Sequence, residues 1–127
     1  MKTSKKLLDD LLTELKIGLG GVYGGRLKGL YLYGSYARGE EDEESDLDVL
    51  VVLEQFDHYA AEVNRTGELA SDLSLKYGIT VSQVFVRETE WLHGDTPFLS
   101  NVREEAVPTV KVDIGAVFQN LILPSLL

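Results

Sequence analysis

The sequence contains no cysteine, which excludes disulfide staples and thiolate metal sites. It is also poor in positive charge. Lysine and arginine number 12 against 21 aspartates and glutamates, for a net charge of −9. The two small basic clusters, Lys2/Lys5/Lys6 and Arg26/Lys28, do not make the basic face from which direct nucleic-acid binders draw their affinity, so no such binding is expected. No apolar run approaches the roughly 18 residues that span a bilayer. The opening MKTSKKLLDDLL brings in acids too early for a secretory signal. No membrane association is therefore expected, and the cytoplasm is the expected location. Repeats, linkers and low-complexity tracts are missing too, apart from one acidic run. With 44% hydrophobic and 26% charged residues in 127, the chain is expected to form one globular domain over 1–127.

What is present is an alternation of helical and strand patterns. Leu7, Leu8, Leu11, Leu12 and Leu15 repeat at the spacing of a core-facing helical stripe from Ser4 to about Val22. Glycines 18, 20, 21, 24 and 25 blur the end of that helix, because each disfavours a helix interior. LKGLYLY (27–33) reads as a strand. LDVLVVL (47–53) is apolar on both faces after Asp48, as in a strand covered on both sides. A helix is expected from about Phe56 to Tyr77, closed by Gly78. A third strand follows over 79–86, then a short helix or turn at RETEW. A last helix in TPFLSNVREEAV has Pro97 at its first turn. The order is that of an α/β domain with a small sheet. The apolar end FQNLILPSLL is expected to dock on the core or to form a subunit contact, as in a homo-oligomer.

One stretch asks for more than a fold. Between Leu32 and Leu53 the chain reads LYGSYARGEEDEESDLDVLVVL, with seven carboxylates from Glu40 to Asp48. Most of that run suits a solvated loop. Asp46 and Asp48 are different, since they stand at the mouth of a core strand, where aspartate is disfavoured. At positions i and i+2 they project to one face about 7 Å apart, with Leu47 turned to the core. Two carboxylates so placed suit Mg²⁺, a hard cation that completes its shell with water and phosphate oxygens. Upstream, Gly34-Ser35 ends the first strand. A glycine lets the backbone approach closely, a serine adds a donor, and a helix start presents free N–H groups to phosphate. Arg38, one turn on, is within reach of the same anion. His58 and His93 lack metal-ligand spacing and read as surface residues. Trp91 and Phe98 read as packing for the last helix.

Gly34-Ser35, ten further residues and Asp46-Leu47-Asp48, with YARG after the serine and Ser45 before the first aspartate, resemble the signature of the DNA polymerase β-like nucleotidyltransferase superfamily. The minimal (MNT) members are most similar. The resemblance implies a nucleotidyltransferase fold with a small mixed β-sheet flanked by helices. It implies a nucleoside triphosphate, with ATP favoured, bound through Gly34, Ser35 and Arg38. Asp46 and Asp48 would be the catalytic pair that holds Mg²⁺, two ions being possible. The reaction implied is transfer of a nucleoside monophosphate, AMP by analogy, to a protein or small-molecule acceptor with release of pyrophosphate. A bridging cation would also reconcile a −9 chain with an anionic substrate.

The sequence departs from the family pattern at one place. The strand after the long helix usually supplies a third carboxylate, and here the matching position is Ser82. The nearest acids downstream are Glu88, Glu90, Glu104 and Glu105. Serine is a poor metal ligand or general base. This opens a second expectation, an antitoxin-like partner of an all-helical HEPN protein that acts by binding with weak or no catalysis. A third is a regulatory nucleotide-binding module.

Overall fold

A computed structural model of the protein describes residues 4–109. The expected apolar tail FQNLILPSLL lies outside these residues. Helix α1 (Lys5–Tyr23) starts at Ser4, whose side chain accepts the Leu7 amide proton. It runs through its glycines to Tyr23 and ends in a single 3-10 turn, Gly24–Arg26. Gly18 lets the facing helix come close. A Cβ there would lie 2.7 Å from Leu69 of the facing helix, so the small residue sets how closely the two helices pack.

Strands β1 (Leu27–Tyr33) and β2 (Leu47–Leu53) flank the short helix α2 (Ser35–Arg38). Helix α3 (Tyr59–Tyr77) follows, then β3 (Val81–Arg87). The helix begins at Tyr59, not at Phe56 as the periodicity suggested. Phe56 is buried ahead of it, its carbonyl accepts from Arg87 Nε (2.9 Å) and the guanidinium lies over its ring. The apolar pattern there belongs to an anchored loop. Helices α4 (Glu88–His93) and α5 (Pro97–Glu105) complete the order, with Thr96 capping α5. A two-residue strand, β4 (Val107–Pro108), was not legible in the sequence.

The sheet order is β3-β2-β1-β4, antiparallel except for the parallel β2/β3 pair, so the sheet is small and mixed as expected. Pairing sets Tyr33 opposite Asp48, and Asp48 opposite Ser82. One face carries Leu30, Leu32, Val49, Val51 and Phe85 against α1 and α3. The other carries Tyr31, Tyr33, Leu50, Val52 and Val86 against Leu99, Val102 and Trp91 of α4 and α5. Strand β2 lies inside both layers, which accounts for its unbroken apolar run. At the outer edge, β3 amides of Val81, Phe85 and Arg87 donate to the side chains of Ser74, Tyr59 and Glu90. Side chains thus take donors that would otherwise invite another strand. No described helix is long and apolar enough to cross a membrane.

Leu50 is fully buried in the α4/α5 layer, whereas Leu92 is 61% exposed. Leu50→Ala is expected to cost about 2–5 kcal/mol, and Leu92→Ala less than about 0.5 kcal/mol. Paired urea denaturation curves measure both.

Candidate active site

The site is built where β1 turns into α2 beside the start of β2. Gly34 adopts φ +77°, a conformation that costs non-glycine residues free energy. A Cβ at this position would meet Asp48 Oδ2 at 2.3 Å. Glycine is therefore required twice, for backbone conformation and for space, and the second reason ties the turn to the aspartate. The amides of Ala37 and Arg38 return to the Gly34 carbonyl (3.1 Å each). Among the described residues, the amide N–H and hydroxyl of Ser35 have no hydrogen-bond partner.

Asp48 lies in β2 and is half-buried, while Asp46 precedes the strand and is exposed. The sequence reading placed both on the strand. The first is in fact the last residue of the acidic loop, where Ser45 accepts the Asp42 amide proton (2.9 Å) and closes the turn. Burial raises the Asp48 pKa above the usual aspartate range, and the neighbouring Asp46 carboxylate raises it further, with Arg38 opposing. A half-buried carboxyl pushed up by burial and by a neighbouring carboxylate marks a site for positive charge.

Tyr33, paired with Asp48, is held up at about 12 by burial first and then by the Asp48 charge. Its ring meets Phe98 edge-on at 5.9 Å, and Tyr31 packs on Trp91 at 4.8 Å. Trp91 and Phe98 therefore pack against strand β1, and Phe98 also forms a wall next to the site. Ser82, the third-carboxylate position, stands beside Asp48 on the neighbouring strand. Glu90 is engaged with the Arg87 amide (3.0 Å) and guanidinium (3.1 Å), and Glu104 is exposed.

Of the downstream acids, Glu105 is the one that reaches the turn, a contact that the sequence does not indicate. Its Oε1 accepts the Gly34 amide proton (2.9 Å) and its Oε2 accepts from Arg38 Nη1 (3.1 Å). Arg38 also lies 3.6 Å from Glu40. Its guanidinium is thus bound to protein carboxylates beside the turn. One signal in the sequence pointed to Glu105. It shares a helical face with Phe98 and Val102, at spacings of seven and three, and a charge on an apolar stripe asks for a partner.

Among the described residues no group of three or more His, Asp or Glu gathers as a metal cage. The donor set is a carboxylate pair, which fits Mg²⁺ because that ion leaves most of its shell to water and phosphate. A cavity of about 310 Å³ lined by Arg26, Phe56, His58, Glu62 and Arg65 lies past the other end of β2. Arg65 there is paired with Glu62 (3.1 Å), and Arg26 donates to the Gln55 carbonyl (2.8 Å).

The nucleotidyltransferase domain family model matches residues 5–112. The chain belongs to that family. A relative from Methanocaldococcus jannaschii, provisionally named a protein adenylyltransferase, is 35% identical over 108 residues, covering 80% of this chain and 92% of its own. A second with the same provisional name and organism is 35% identical over 80 residues, covering 63% and 80%. In three dimensions the fold is similar to a chain of a toxin–antitoxin crystal structure with AMP-PNP (TM-score 0.54, 22% identity, 85% of this chain and 88% of that one). It is similar to the same extent to a chain of the toxin–antitoxin pair MntA–HpeT carrying two aspartate-to-glutamate changes (TM-score 0.54, 19% identity, 85% and 88%). The nucleotidyltransferase class expected from the motif is thus shown by the family, and the fold by the neighbours.

The raised Asp48 pKa gives a stability test with a definite sign. A carboxyl whose pKa is higher folded than unfolded destabilises the fold where it is charged, above the folded pKa, and is neutral in effect below the unfolded one. Asp48→Asn is expected to raise the melting temperature at pH 7. The gain should disappear as the pH falls below the ordinary aspartate range near 4. Melting curves of both proteins across pH 3–8 without divalent cation measure it.

Proposed function

We propose that this nucleotidyltransferase moves AMP from ATP to a protein acceptor, with Asp46 and Asp48 holding Mg²⁺. The observation that carries the reading is the contact between Gly34 and Asp48, which joins a serine-bearing turn to a carboxylate pair. Ser35, whose amide and hydroxyl have no partner among the described residues, is the donor for a terminal phosphate. Bound magnesium would neutralise the developing charge on the phosphates and align the attacking hydroxyl. The acceptor oxygen bonds to the α-phosphorus, the bond to the bridging oxygen breaks, and pyrophosphate leaves. The acceptor's proton goes to solvent or to a base outside this trio, since Ser82 stands where a third carboxylate would. The provisional names of the relatives support a protein acceptor. A small-molecule acceptor remains an outcome of the test.

A second reading has its own support in Ser82. A site without a third carboxylate next to Asp48 suits a protein that neutralises a partner by binding it, with nucleotide turnover weak or absent. The toxin–antitoxin neighbours belong to this reading, and the partner would be an all-helical HEPN-type protein.

Incubation with α-labelled ATP and Mg²⁺, with and without the product of the adjacent gene, separates the two. Label on protein together with pyrophosphate release is expected. Asp46→Asn and Asp48→Asn should each lower it on the order of 100-fold or more, the equivalent of several kcal/mol of lost charge stabilisation. Partner neutralisation that survives both substitutions would favour binding over chemistry. Ser82→Asp, which sets a third carboxylate beside Asp48, is expected to raise transfer. An unchanged or lower rate would remove Ser82 from the metal site.

A further inference from the structure

We infer that Glu105 is a positioning residue, a carboxylate clamp that fixes the Gly34 turn so that Ser35 faces the acid pair. The role in nucleotide binding rests on the function proposed above; the clamp itself does not. Both Glu105 oxygens are used, one on the Gly34 amide (2.9 Å) and one on Arg38 (3.1 Å). These two donors sit on either side of Ser35 in the chain. A carboxylate that holds both ends of a five-residue turn fixes the direction of the residues between them. Hydrogen bonds to a charged acceptor are roughly twice as strong as neutral ones, and this one spans 71 residues of sequence.

The clamp is itself held firmly. Leu99 and Val102 bury α5 in the layer behind the site. Arg103 donates to the carbonyls of Trp91 (2.7 Å) and Gly94, strapping α4 to α5. Helix α5 is thus fixed at both ends, by Phe98 on Tyr33 and by Glu105 on the turn. Glu105 leaves the donors of Ser35 untouched, and its charge adds to the negative corner that Asp48 experiences. It therefore supports a cation without being one of the gathered ligands.

The test compares Glu105→Ala, which removes both acceptors, with Glu105→Gln, whose amide oxygen still accepts from Gly34. The first readout needs no nucleotide: exchange of the Gly34 amide proton, followed by NMR. It should be slow in the wild type, accelerate at least tenfold in Glu105→Ala and recover most of its protection in Glu105→Gln. Melting temperatures should stay within a few degrees for both. The second readout is calorimetric titration with Mg²⁺ and AMP-PNP. Affinity should fall about tenfold in Glu105→Ala and by less than about threefold in Glu105→Gln. Equal Gly34 exchange in all three proteins would overturn the clamp. A freed Gly34 with unchanged or tighter nucleotide affinity would overturn its positioning role. No nucleotide uptake by the wild type would refute the proposed function, while Gly34 exchange would still decide the clamp.

Discussion

The antiparallel register between β1 and β2 is the constraint on which the site depends. It sets Tyr33 opposite Asp48, so the residue after Tyr33 turns directly against the aspartate. Only glycine leaves room there, and only glycine adopts the positive φ without strain. A one-residue slip of that pairing would send Asp48 to the other face of the sheet, into the layer of Leu30, Val49 and Val51. The apolar run of β2 guards against the slip, because both of its faces are buried. The same residues that stabilise the sheet therefore hold the candidate site in register.

A carboxylate in this corner is held at a cost to the fold. Asp48 is half-buried, lies near Asp46 and Glu105, and has Arg38 as its opposing charge. The arginine is already bound to Glu105 and Glu40. A well-packed neutral side chain would suit the apo protein better. Strain of this kind belongs at sites selected for something other than stability. A divalent cation bound there, as the proposed function requires, would relieve it and would let a −9 chain accept a polyanion.

Much of this was legible in the sequence because it is local. The leucine period of α1, the double-sided run of β2 and the Thr96-Pro97 start of α5 each lie within a short window, and each appears in the structure. Gly34 and Asp48 flank one connection between paired strands, so their close approach follows from a short window of sequence. Three features were not legible for a physical reason. The start of α3 was masked by Phe56, an apolar loop residue covered by Arg87 from 31 positions away. Strand β4 is two residues long and exists through pairing with β1. Glu105 meets Gly34 only because α5 folds back over the sheet, and no window of the sequence contains both.

Ser82 brings the local and non-local parts together. Parallel pairing places it beside Asp48, so its hydroxyl occupies a position where a carboxylate would have added a third negative charge to an already crowded corner. Glu105 introduces a negative charge nearby from a different element, spent on fixing the turn by two hydrogen bonds. The corner thus keeps three acids and one arginine, and under the proposed function only two of the acids would hold a cation. If the proposed function holds, this arrangement would favour holding a metal–triphosphate over activating an acceptor hydroxyl, because no carboxylate on β3 is placed to take the proton. Under the proposed function the acceptor hydroxyl would then lose its proton to water or to a base that β3 does not supply.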